Sequence, residues 1–83
     1  MGMTAIVWAL PECPKCESVI FELRQRHRNI TRLSLEKLAS GEEPDIDAMA
    51  HLAMTGGAAP IVFIDGRFLE PEEINQLIIP RRT

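Results

Sequence analysis

The sequence predicts an α/β domain in which helices flank both faces of a mixed four-stranded sheet, in the order β-α-β-α-β-β-α. Three observations carry this. Two dense apolar runs, "TAIVWAL" from Thr4 to Leu10 and "PIVFI" from Pro60 to Ile64, have the length of strands buried on both faces. Between them lie two stretches whose apolar residues recur at steps of three and four, the spacing of a helix. After them come Asp65 and Gly66, the strongest short hairpin signal, and then a helix start led by Pro71.

Taken in order, the first strand is stopped by Pro11. A helix can open at Pro14, because a first-turn residue needs no N–H. Its stripe is Cys16, Val19, Ile20, Leu23 and His27, and it should last until about Arg28. Ile30 to Leu35, "ITRLSL", alternates in character and reads as a strand. Ser40, Gly41 and Pro44 mark a loop, and Asp45 is the expected N-cap of a second helix. Ile46, Met49, Ala50 and Ala53 should form that helix's inner face, and Gly56 or Gly57 should end it. Beyond the hairpin turn, Arg67 to Leu69 should return antiparallel to "PIVFI". The last helix carries Glu72 and Glu73 in its first turn and should bury Ile74, Leu77 and Ile78. The first half thus needs a crossover to a parallel strand, and the second is a hairpin followed by a helix.

Residues 1–83 read as a single domain, with no internal repeat, low-complexity stretch or linker. At 46% hydrophobic and 25% charged, the chain is too apolar for a disordered segment. A net charge of −3 leaves no excess of cations to neutralise phosphates, so nucleic acid is not an expected partner. The longest strictly apolar run, Ala5 to Leu10, is far short of the roughly 18 residues of a membrane span. "MGMTAIVWAL" has neither the basic leader nor the small-residue cleavage site of a signal peptide, and Ile6 stands where a myristoylation signal would have Ser or Thr. A cytoplasmic monomer that does not engage membranes is expected, in a compartment where a disulfide is usually transient and catalytic.

Cys13 and Cys16, the only cysteines, flank Pro14 and Lys15. Two thiols that close can share a metal, hold a structural bond or exchange electrons. Cys13 falls just before the first helix, where unpaired backbone N–H groups and the helix dipole favour a thiolate. Lys15 adds a cation, and Cys16, one turn on, can reach the Cys13 sulfur; Glu12 and Glu17 oppose ionisation. Lowering a thiol from ~8.5 to ~7 raises the thiolate fraction at neutral pH about sixteenfold. The accompanying loss of nucleophilicity, about fivefold, still leaves a gain of about threefold in attack and a better leaving group. At a strand-to-helix turn this spacing reads as a redox pair. A zinc site within one chain needs more ligands, and His27 and His51 lack the short paired spacing of a finger. The alternative is a binding module in which the Cys pairs of two chains grip zinc or an iron–sulfur cluster.

Pro60 stands immediately before a buried strand, where no ladder donor can be spared. A cis bond there would leave the backbone of Ala59 open to an extended substrate. Together, the Cys-Pro-Lys-Cys after the first strand, the Ala59-Pro60 before "IVFIDG" and the acidic start of the last helix resemble the glutaredoxins, a branch of the thioredoxin-like fold, over nearly the whole chain. The resemblance implies a thiol–disulfide oxidoreductase acting on protein or small-molecule disulfides, with no tightly bound cofactor. By it, Cys13 is the exposed nucleophile, Cys16 the resolving thiol, and Pro60 a cis proline facing them. Ala59 supplies backbone bonds to a protein disulfide substrate. The glutathione pocket of that family departs here: Leu10 replaces a lysine, and Glu70 and Pro71 replace a Gly-Gly pair. Pro71 has no N–H to offer and Glu70 repels a carboxylate. In this respect the chain looks like the small glutaredoxin-shaped redoxins that are recharged by thioredoxin reductase and that donate electrons to ribonucleotide reductase, with glutathione the other reductant the resemblance leaves open.

Other residues have simpler readings. Arg24, Arg26, Arg28 and Arg32 should complement a helix end and face solvent, as should Glu42, Glu43, Asp45 and Asp47 at the next helix start. Trp8 belongs in the core, near enough to Cys13 to report oxidation. Met49 and Met54 should fill gaps, His27 and His51 should lie at helix margins, and the C-terminal "PRRT" should fray.

Overall fold

The computed structural model describes residues 4–26 and 29–78. The chain runs β1 (Thr4–Ala9), α1 (Pro14–Gln25), β2 (Asn29–Ser34), α2 (Leu35–Ser40), α3 (Ile46–Met54), β3 (Ile61–Ile64), β4 (Arg67–Phe68) and α4 (Pro71–Ile78). The strands form one mixed sheet in the order β2-β1-β3-β4. β1 and β2 are parallel, with Thr4 opposite Asn29 and Ala9 opposite Ser34. β3 runs antiparallel to β1, with Val7 opposite Val62, and β4 antiparallel to β3. The expected α/β class, mixed sheet and helical layers are all present.

Side chains alternate across a strand, so β1 feeds two cores. Ala5, Val7 and Ala9, with Val62 and Ile64, pack on Cys16, Val19, Ile20 and Leu23 of α1 and Ile74 of α4. Ile6 and Trp8, with Ile61 and Phe63, face the other way against Leu35 and Leu38 of α2 and Ala48 of α3.

Turns and caps are built locally. Asp45 caps α3 by accepting the Ala48 N–H at 3.0 Å. The helix ends as expected at its glycines: Gly57 N–H reaches Leu52 O at 2.9 Å and Gly56 N–H reaches Ala53 O at 3.2 Å, a Schellman stop that needs the left-handed φ of 72° at Gly56. Asp65 and Gly66 both have positive φ, 55° and 81°, which makes the hairpin a type I′ turn.

Three expectations need correction. An additional helix, α2, follows β2 directly: Ser34 ends the strand and caps the helix by accepting the Lys37 N–H at 3.2 Å, and Gly41, in the left-handed region, closes it. Helix α1 ends at Gln25, because the Arg26 N–H turns back to Leu23 O at 3.1 Å; His27 and Arg28, like the segment "PRRT", lie outside the described residues. Helix α3 presents the opposite face from the one expected. Ala48 and His51 are buried and Leu52 and Thr55 half-buried, whereas Ile46 and Met54 are 84% and 80% exposed. The two stripes differ by two positions, about 200° around the helix. The inner one wins because His51 finds a partner there: its Nε2–H donates to Leu69 O at 3.1 Å and its ring stacks on Phe68 at 5.0 Å. His51 is therefore no margin residue, and Met49 and Met54 fill no gap.

The cap on α3 predicts that Asp45→Ala lowers unfolding stability by about 1 kcal/mol, whereas Asp45→Asn, which keeps the accepting oxygen, costs only a few tenths. Urea denaturation of the two variants measures both.

Candidate active site

The turn between β1 and α1 places the first cysteine. Glu12 takes a left-handed φ of 53°, a conformation that costs a non-glycine residue roughly 1 kcal/mol, and so redirects the chain at the end of the strand. Cys13 follows in extended backbone as the N-cap of α1, and its carbonyl accepts the Glu17 N–H at 3.1 Å. Pro14 at the first helical position removes an N–H that the helix could not have used. The Cys13 Sγ accepts the Cys16 N–H at 3.2 Å, so sulfur stands where a Ser or Asp oxygen usually caps. A donor and the positive end of a helix both stabilise negative charge on that atom.

Cys13 and Cys16 are joined as a disulfide, their Cα atoms 5.2 Å apart. Their surroundings differ. Cys16 is wholly buried among Val19, Ile20 and Leu23, while Cys13 is half-buried at the edge of the same cluster. Only the first sulfur is within reach of a large reagent.

Ala59, half-buried, rests on both core clusters, and the Ala59–Pro60 bond is cis. Lys15 and Pro60 line a shared seam with His51 and Pro71. The seam's volume of about 10 Å³ holds at most one water, so it is packing and not a ligand pocket. His51, expected at a helix margin, is buried beside this seam; the signal for its burial was a helical stripe of Ala48, His51, Leu52 and Thr55. Trp8 lies in the cluster across the sheet from Cys16, not in the layer that holds the cysteines.

Charges near the cysteines are partly compensated. The Glu17 carboxylate, expected to oppose ionisation of Cys13, is bonded to the guanidinium of Arg32 on β2. Leu10 is half-buried against the second cluster and offers no cation. At the head of α4, Glu70 acts as the cap residue, its carbonyl accepting the Ile74 N–H at 3.0 Å, and Pro71 has no N–H. The Glu70 N–H is taken at 2.9 Å by Oε1 of Glu73, whose carboxylate also receives both Nη atoms of Arg67. That fork, and then the Glu70 N–H, hold the Glu73 carboxyl down at about 2.

Among the described residues no group of three or more His, Cys, Asp or Glu side chains is placed to hold a metal, and no helix is long and apolar enough to cross a membrane. A Cys-Pro-Lys-Cys pair at disulfide distance, on the strand-to-helix turn of an α/β sheet, defines a site compatible with redox or metal-binding chemistry. No family model, curated protein or solved structure matches the chain, so its geometry carries the functional argument alone.

Two outcomes follow from this geometry. Iodoacetamide should label reduced, folded protein once, at Cys13, and label Cys16 only after denaturation; mass spectrometry of the peptides reads this directly. Glu73, lowered from an ordinary 4.5 to about 2, contributes stability that is fully present above pH 4.5 and is lost as the pH falls toward 2. The gap in urea midpoint between the protein and Glu73→Gln should therefore be constant above pH 5 and close as the solution is acidified through that window.

Proposed function

We propose that the chain is a thiol–disulfide oxidoreductase with a thioredoxin-like fold of the glutaredoxin type. The observation that carries this reading is the Cys13 sulfur: half-buried at the head of α1, it accepts the Cys16 N–H and lies within bonding reach of the Cys16 sulfur. In the reduced protein the Cys13 thiolate attacks one sulfur of a protein disulfide, forming a mixed disulfide and releasing the other substrate sulfur, which takes up a proton. Cys16 loses its proton to solvent and attacks the Cys13 sulfur; the second substrate thiol leaves, and the Cys13–Cys16 disulfide carries the two-electron oxidation. Lys15 and the helix dipole favour the attacking thiolate. Ala59, outside the ladder of β3, offers its backbone to the substrate segment, with Pro60 beside it.

The reductant that restores the dithiol is, in this reading, a thioredoxin reductase type of enzyme and not glutathione. Three features support it. Leu10 supplies no cation, Pro71 no N–H, and the Glu70 N–H already serves Glu73. An electron acceptor such as ribonucleotide reductase fits a redoxin recharged in this way. A zinc or iron–sulfur module would have to draw ligands from two chains, and metal content with visible absorbance of the purified protein would reveal it.

The test is NADPH consumption with a protein disulfide as acceptor. Thioredoxin reductase should recharge the oxidised protein faster than glutathione with its own reductase. Cys13→Ser should abolish turnover, and Cys16→Ser should trap a mixed disulfide through Cys13. Turnover by the Cys13→Ser variant would overturn the reading of the site; faster recharging by glutathione would overturn the choice of reductant.

A further inference from the structure

On the α3 side of the sheet, Ile6, Trp8, Asp45, Asp47, Phe63 and Phe68 line a cavity of about 110 Å³ that is half open to solvent. Its inner wall is aromatic: the Phe68 ring lies 6.0 Å from that of Trp8 and 4.8 Å, edge to face, from that of Phe63. The lining also includes two carboxylates, from the α3 cap residue Asp45 and from Asp47 in the helix's first turn. Asp45 gives one oxygen to the Ala48 N–H, and among the described residues neither Asp45 nor Asp47 has an ion pair. The cations of the adjoining elements are engaged elsewhere, Lys37 with Glu43 and Arg67 with Glu73.

Ring faces attract cations through their quadrupole, and carboxylates beside them add a Coulomb attraction that aromatic walls screen poorly. An anion or a neutral apolar ligand would not need both. Size narrows the class. A volume of about 110 Å³ is the room of roughly four waters, well below the ~300 Å³ at which small-molecule pockets begin, and it suits the end of one side chain. Between the two carboxylates in sequence stands Ile46, 84% exposed, the start of an outward stripe that continues through Met49. An isoleucine so exposed beside a charged cavity provides the apolar contact that a bare cation lacks.

We propose that this cavity receives a lysine or arginine side chain of a partner protein, with Ile46 packing against an apolar residue next to that cation. The site is on the opposite sheet face from Cys16 and stands independently of the redox reading. It would hold a partner by a basic, apolar segment while leaving Cys13 uncovered.

The probe is a capped Leu-Lys-Leu peptide, with arginine and norleucine versions, titrated into the full chain. Trp8 is the only tryptophan, so its indole N–H resonance and emission report on the cavity wall. The lysine and arginine peptides should shift that resonance saturably and lose affinity with added salt, and the norleucine peptide should not saturate. The variant Asp45→Asn with Asp47→Asn keeps the helix cap and, with an unchanged circular dichroism spectrum, should bind the lysine peptide about tenfold more weakly or worse. Ile46→Ser should weaken the lysine and arginine peptides alike. Equal binding of the norleucine peptide, undiminished affinity in the double variant, or no shift of Trp8 at any peptide concentration would overturn the proposal.

Discussion

Strand β1 is enclosed on every side. β2 and β3 take its two edges, and its alternate side chains enter two separate cores, one under α1 and α4, the other under α2 and α3. Such a strand has no freedom of register, since a slip of one residue would put Trp8 among the residues of α1 and Val7 against α2. Fixing β1 fixes the position of its last residue, Ala9, and therefore where the turn through Glu12 releases the chain into α1. The sulfur of Cys13 inherits its place from this strand. A surface loop of the same composition would hold two cysteines near one another without presenting one outward and sealing the other in.

Much of this was legible in the residues. Buried parallel and central strands are read from apolar density, and β1 and β3 have it; caps and turns are read from single side chains, and Cys13, Asp45, Gly56 and Asp65-Gly66 stand where local chemistry requires them. The face of α3 was not legible, because two stripes follow the same helical spacing and the more apolar one is the wrong one. What decides between them is the Leu69 carbonyl, a partner for His51 that exists only once β4 has returned beside β3. Helix α2 has its start at Ser34 and its stop at Gly41 in plain view, but one and a half turns show too little periodicity to separate from the strand before them. The left-handed residue Glu12 carries no sequence signal, since glutamate is not a residue that seeks that conformation.

The electrostatics of the two helix heads differ in a way that matters for chemistry. At α1 the cap atom is a sulfur, an acceptor whose own charge can change, and the nearest competing carboxylate on the helix is held by Arg32. At α4 the cap is closed by a carboxylate from the helix itself, clamped in turn by Arg67. One positive helix end faces a cysteine sulfur and the other is closed by a clamped carboxylate. The two heads share the first core cluster through Cys16 and Ile74, so the head of α4 helps to hold the head of α1 in place.

The order of strands leaves the sheet with two dissimilar borders. β4 is only two residues long, and β2, though six, is largely solvated and carries Arg32, bonded inward to α1. Neither border gives a neighbouring molecule a long, flat, apolar rail on which to lay down a matching ladder. A domain with so apolar a β1 thus shields its most aggregation-prone segment in the middle of the sheet, and crowded neighbours meet the fold at its margins, where the least is offered.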